Sequence, residues 1–258
     1  MQWRFTLTPS KPTCKKGINM NYQKLVTATT TFLVGVSFSG AVLSAAVNLV
    51  PNGDFQAGNQ QFTSGYTFNP AGNATEGEYT IRTDPFPWNP SFVSIGDHTS
   101  GSGMMMVANG SPVSGEIVWK SQSIAVAAAT NYFFEAFVNN VCCQTFTFGP
   151  GSESILEFAL SLNGGPAISL ATITTDLSLA GTWEGLSTQF LANAAGTVEL
   201  SLINRNTNRL GNDFAVDDVY FGIVSTVNPP SGVPEPASLV LLGIGLAALS
   251  FSRRQRES

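Results

Sequence analysis

From Val47 to Thr226 the chain repeatedly places β-branched and aromatic residues at every second position, in runs of six to twelve residues broken by turn residues. That period of two fits strands with one face buried and does not fit helices. The runs are Glu78–Thr83, Gly115–Val126, Tyr132–Val138, Ile155–Leu162, Ile168–Thr174, Thr197–Ile203 and Phe214–Val224. Between them lie Pro70-Ala-Gly72, Asn109-Gly110, Gly149-Pro150-Gly151, Asn163-Gly164-Gly165-Pro166 and Asn193–Gly196, all rich in turn formers. No amphipathic helix of ten residues interrupts the series. Roughly ten short strands predict an all-β domain over residues 47–226, an antiparallel two-sheet sandwich of jelly-roll type. Asn163-Gly164 is the best hairpin turn, because both residues tolerate positive φ.

The two ends of the chain follow different rules. Residues 1–19 have no periodicity and carry Lys11, Lys15 and Lys16, which reads as an upstream extension or as a long basic leader. Residues 20–46 comprise a short basic stretch ending at Lys24, an apolar run from Leu25 to Leu43 and the small residues Ser44-Ala45-Ala46. That is the pattern of a secretory signal peptide, helical across its apolar run. At the other end, residues 227–232 form a Pro/Gly/Ser spacer. Val233-Pro234-Glu235-Pro236 is held extended by its prolines. An uncharged apolar helix is predicted over 237–252, followed by Arg253, Arg254 and Arg256. Fifteen or sixteen helical residues span about 23 Å, less than the roughly 30 Å hydrocarbon core. Bilayer thinning and arginine snorkelling close that gap, and the basic cluster assigns the tail to the cytoplasmic side. The alternative is a buried C-terminal core helix.

Taken together, Val233, Pro234, Glu235, Pro236, the apolar helix and the terminal Arg253 and Arg254 closely resemble the PEP-CTERM sorting signal of Gram-negative bacteria. The resemblance implies recognition by an exosortase after export through the secretion machinery. It also implies a membrane anchor before processing, then display at the cell surface or in the matrix.

Residues 47–232 hold fifteen acidic and four basic residues (Arg82, Lys120, Arg205 and Arg209), a net charge of −11. Such a surface repels phosphate backbones, which argues against nucleic acid as a partner. About 186 residues suffice for one domain with a proper core. Cys14 lies in the leading segment, leaving Cys142-Cys143 in an oxidising compartment. Two buried thiols, a vicinal disulfide and bridges to other chains all remain open for that pair.

Asn48-Leu-Val-Pro-Asn-Gly-Asp-Phe-Gln56 and Gly211-Asn-Asp-Phe-Ala-Val-Asp-Asp-Val-Tyr-Phe221 resemble the opening and closing segments of jelly-roll carbohydrate-binding modules and galactose-binding-like domains. The resemblance implies that the first and last strands pair, with a structural calcium where they meet. By position its ligands would be the Asp54 carbonyl, Gln56 and Asp217 or Asp218. Asp97 would be a loop contributor, and Gln56 stands where the family has glutamate. Calcium wants six to eight oxygen ligands. The competing reading gives Asp54 and Asp213 turn hydrogen bonds and leaves Asp217 or Asp218 in solvent.

Stacking on a sugar ring needs an exposed aromatic. Trp88, in Pro85-Phe-Pro-Trp-Asn-Pro90, is the leading candidate, with Phe86 and Tyr66 beside it. The alternative has Trp88 packed under its own loop. Trp119 and Trp183 read as core residues, as do one or two of Met104, Met105 and Met106. Catalytic chemistry has little support. His98 is the only histidine, with no nucleophile elbow to serve, and reads as a loop hydrogen-bonding residue. Glu153 and Glu157 would stand about 13 Å apart on a strand, too far for a paired acid and base. The expectation is therefore a non-catalytic structural or adhesive protein of the extracellular polysaccharide or biofilm. A glycan-binding module is the alternative, and a glycan-acting hydrolase a remote third.

Overall fold

The computed structural model of the protein describes residues 46–73, 75–143 and 149–228. The leader, the sorting signal and the helix expected at 237–252 lie outside the described residues. Among the described residues no helix is long and apolar enough to cross a membrane.

Twelve strands follow in chain order: β1 Phe62–Thr63, β2 Thr67–Phe68, β3 Glu78–Arg82, β4 Met105–Asn109, β5 Ile117–Ser121 and β6 Ile124–Val126, then β7 Thr130–Asn140, β8 Ile155–Leu162, β9 Ala167–Thr174, β10 Glu184–Ala192, β11 Gly196–Asn204 and β12 Phe214–Gly222. One sheet runs β1-β5-β11-β8-β9, with β6 also on β11, and the other runs β10-β7-β12-β4-β3-β2. The sandwich is as expected, with one departure: β2 pairs parallel to β3. The run Gly115–Val126 breaks at Gln122-Ser123 into β5 and β6, which both stay on β11. At Asn163-Gly164 both residues take positive φ, at 49° and 70°, and turn β8 into β9. β10 went unforeseen because its inward positions, Leu186, Thr188 and Phe190, mix polar with apolar and blur the alternation.

The core lies between the sheets. Trp119, Leu156, Phe158, Leu160, Leu200 and Leu202 from the first meet Met106, Phe134, Val138, Phe214 and Val216 from the second. Each such side chain, once sealed from water, stabilises the fold by roughly 1.5–3 kcal/mol. The outer face of the second sheet is also covered, by a smaller cluster of Trp88, Phe92, Met105, Val107, Val141 and Ala215. Met105 and Met106 are consecutive yet both fully buried, because successive strand residues point to opposite faces and both faces are sealed here. Cys142 and Cys143 are joined to each other by a disulfide.

Between β11 and β12, Asn204, Asn206 and Asn208 form a ladder. Each side-chain oxygen accepts the backbone N–H two residues on, while the amide nitrogens bond the carbonyls of Ser111, Val113, Gly151 and Glu153. Asparagine at alternate positions thus gives a long crossover its own hydrogen-bond scaffold.

Glu135, in the middle of β7, is fully buried. Its carboxylate accepts from Ser187 on β10 and from Ser225, Thr226 (backbone and hydroxyl) and Val227 in the segment leaving the domain. Burial alone would raise its pKa; the donated bonds outweigh that and hold it below the usual range. Asp213 is the opposite case. Burial, and secondarily the negative charge of Glu76, pushes it up to about 7 against the single backbone N–H that Gly110 donates.

Two outcomes follow from these carboxylates. Glu135→Ala orphans buried donors and is expected to cost about 3 kcal/mol in denaturant unfolding. The same variant speeds amide exchange at Thr226 and Val227. Asp213 binds its proton more tightly folded than unfolded. Its contribution is therefore fully present below about pH 4 and lost as pH rises toward its folded value. Asp213→Asn should make the melting temperature fall less steeply between those limits, and an unchanged slope counts against the assignment.

Candidate functional site

The opening and closing motifs do meet, though not as two regular strands. Residues 48–53 run beside β12 without joining its ladder, while the first regular strand, β1, pairs with β5. Leu49 N–H donates to the Phe221 carbonyl at 2.8 Å, and Val219 N–H to the Gly53 carbonyl at 2.8 Å. Asn48 clips the two together by donating to the Val219 carbonyl and accepting from Phe221 N–H. Gly53 is required there, because a Cβ would sit 2.0 Å from the Val219 oxygen.

β12 bulges between Asp217 and Tyr220, and Asp218 takes a φ of 47°. The bulge sends neighbouring carboxylates to different places. Asp217 is 1% exposed and accepts from the backbone N–H groups of His98 and Asp218. Burial, and secondarily the charge of Asp218, raises its pKa to about 7. Asp218 faces outward, with one oxygen 2.7 Å from His98 Nδ1 and accepting from the Thr99 hydroxyl. The His98 ring stacks on Phe137 at 3.5 Å between centroids and meets the edge of Trp183.

These groups border a cavity of about 420 Å³ lined by Asn48, Asp54, His98, Phe137, Asp218 and Tyr220. Its wall offers carboxylate oxygens, an imidazole and aromatic surface, with no lysine or arginine in the lining. Asp218 fixes the imidazole, as the acid of a catalytic triad does. Among the described residues, however, no hydroxyl or thiol bonds the ring's other nitrogen. The arrangement presents hydrogen-bonding groups to the cavity. His98 was read as a loop hydrogen-bonding residue, and its partners could not be seen because they lie some 40 and 120 residues away.

Of the residues expected to hold calcium, several come together. Gln56 donates its amide to the Asp54 and Met104 carbonyls, and a Cβ on Gly103 would touch both Gln56 and Asp97. Asp97 is buried, which would raise its pKa, but accepts from Gly103 and Ser100 and is held low. Its charge also acts on Asp217. Asp218 departs toward His98. Mixed carboxylate, carbonyl and amide oxygens suit calcium, but Gln56 presents nitrogen to the two carbonyls and would have to turn to present oxygen. Among the described residues no three acidic, histidine or cysteine side chains converge as a metal site.

The aromatic candidates are corrected. Trp88 is 2% exposed, tilts against Phe92 and donates its indole N–H to the Asn69 carbonyl at 2.8 Å. The loop that carries it folds down to cover Val107 and Ala215, so no ring face is left for a sugar. Tyr66 is buried, with its hydroxyl accepting from Ser111 N–H. Phe86 stays partly exposed, without its expected neighbours. Trp119 is in the core as expected, and Trp183 packs at the edge of the outer cluster. Glu157 pairs with Arg205, and Glu153 caps the Gly151 turn.

No curated protein matches this sequence. Among solved structures the chain is similar to the second family 16 carbohydrate-binding module, at 16% identity and TM-score 0.40 over 67% of this chain and 99% of that one. It is similar to the Stig cyclase Fisc from Fischerella sp. TAU, at 15% identity and TM-score 0.46 over 69% and 97%. It is also similar to the EclA C-terminal domain, a sugar-binding protein, at 20% identity and TM-score 0.31 over 42% and 67%. Residues 232–255 match the PEP-CTERM protein-sorting motif.

Proposed function

We propose that the protein is an exported, exosortase-sorted β-sandwich displayed at the cell surface or in the extracellular matrix of a Gram-negative bacterium. Its role there is structural or adhesive and non-catalytic, in association with exopolysaccharide or biofilm. The sorting motif at 232–255, directly behind the domain, carries this reading. The non-catalytic reading draws on His98 meeting Asp218 through Nδ1, with no hydroxyl or thiol bonded to its other nitrogen among the described residues, and on Glu157 being tied to Arg205. Fractionation of the producing cell tests the sorting. The full chain should reach the envelope or surface and lose its tail, and deletion of 233–258 should leave it unanchored. An intact, uncleaved chain in the cytosol overturns the reading.

A second reading, glycan binding, draws on the cavity beside β12. Asp54, Asp218 and His98 would take sugar hydroxyls, in place of the Trp88 surface. Titration of the producer's own polysaccharide tests it. His98→Ala and Asp218→Asn should each weaken binding at least about tenfold, the equivalent of one good hydrogen bond to a charged group. Binding unchanged in both variants removes the cavity from consideration. Calcium at Gln56, Asp97, Asp217 and the Asp54 carbonyl would neutralise carboxylates that now sit close together. The expected result is a melting temperature several degrees higher in millimolar calcium than in chelator, abolished in Asp97→Asn. No shift in the wild type eliminates the ion.

A further inference from the structure

Each sheet of a sandwich ends in two edge strands, whose outer N–H and C=O groups would pair with any strand offered to them. On one side of this molecule the edges are β1, β6 and β2, two or three residues each, too short to template anything. On the other side they are β9 and β10, with eight and nine residues. β10 begins with Glu184 and has Val227, from the departing segment, beside Gly185. β9 carries neither a charge nor, among the described residues, a covering segment, and its one irregularity is a bulge at Leu170, where its register with β8 shifts. Its sequence, Ala167-Ile-Ser-Leu-Ala-Thr-Ile-Thr174, contains no charge, no proline and no glycine in a domain rich in carboxylates. Among the described residues its backbone bonds only to β8.

The side chains point the same way. Ile168 stands opposite Leu160, a fully buried core residue, so it faces the interior of the sandwich. It is nevertheless 49% exposed. Leu170, and Leu186 and Phe190 on β10, are likewise only partly buried. The core is therefore open at the Ile168 end of β9, where an apolar inner face overhangs beside an unpaired backbone, while Ile173 at the other end is buried.

We infer that β9 is a self-association edge, pairing antiparallel with β9 of a second copy to join two six-stranded sheets into one. A two-fold contact of this kind uses the same surface on both partners. A neutral strand is what permits it here, since any charged edge on so acidic a domain would meet its own charge across the axis. The partner's Ile168 and Leu170 would complete the opening over the core. This inference does not depend on glycan binding and is measured without glycan.

The test is the mass of the exported protein by light scattering between about 1 and 100 µM, concentrations that bracket ordinary weak-to-moderate affinities. Wild type should shift from the mass of one chain toward twofold as concentration rises. Ile168→Lys, which points a charge into the contact, should abolish the shift while leaving the far-ultraviolet spectrum unchanged. Thr174→Lys, at the exposed end of the strand, is a gentler second variant and should weaken the shift. Leu191→Lys on β10 should leave it intact. A wild type that stays monomeric throughout overturns the inference, as does a dimer that survives both β9 variants. Strong hydrogen-exchange protection of the β9 edge in the monomer also overturns it, because another part of the chain then covers that edge.

Discussion

β12 lies in the middle of the second sheet, bonded to β7 on one side and β4 on the other, and its departure from regular pairing decides the rest. An uninterrupted strand would alternate Asp217, Asp218 and Val219 between core and surface in fixed order. The extra residue instead buries Asp217 beneath the His98 loop and turns Asp218 outward to hold the imidazole. The opening segment can then lie against Val219 and Phe221 through Asn48. One inserted residue thus places the chain's start, its only histidine and two of its carboxylates within a single neighbourhood.

The sheets differ in how they meet solvent, and that determines which surfaces are free. The first sheet is buried on its inner face and carries ion pairs such as Lys120–Glu199 and Glu157–Arg205 on its outer one. The second is sealed on both faces. The loop with Trp88 and Phe92 caps one end of its outer face, and the His98 loop, Trp183 and the departing C-terminal segment take the other. What stays open is the cavity beside Asp218 and the long edges on one flank.

Strand positions were legible because a half-buried strand writes its period into the chain; Ile155–Leu162 was delimited to the residue. The same logic misread Trp88. Proline-flanked aromatics suggest an exposed loop tip, and nothing in the local sequence announces that the sheet beneath has apolar residues on its outer face. Glu135 was hidden for a related reason, since a carboxylate in an alternating run looks solvent-facing until its hydroxyl donors arrive from 52 and 90 residues away. The asparagine ladder was the more readable omission, because Asn204, Asn206 and Asn208 stand at a fixed spacing of two. The ends of the chain were read by composition, where order of segments rather than packing carries the message.

Glu135 also bears on how the domain would respond to traction. Three consecutive residues at the domain's exit hang from one side chain in the interior of β7, a strand flanked on both sides. A drag force arriving along the tether would thus be delivered to the middle of the sheet, and not to a free end that could peel away residue by residue. The mechanical coupling of the domain to the segment that leaves it is in this way concentrated in a single anionic rivet.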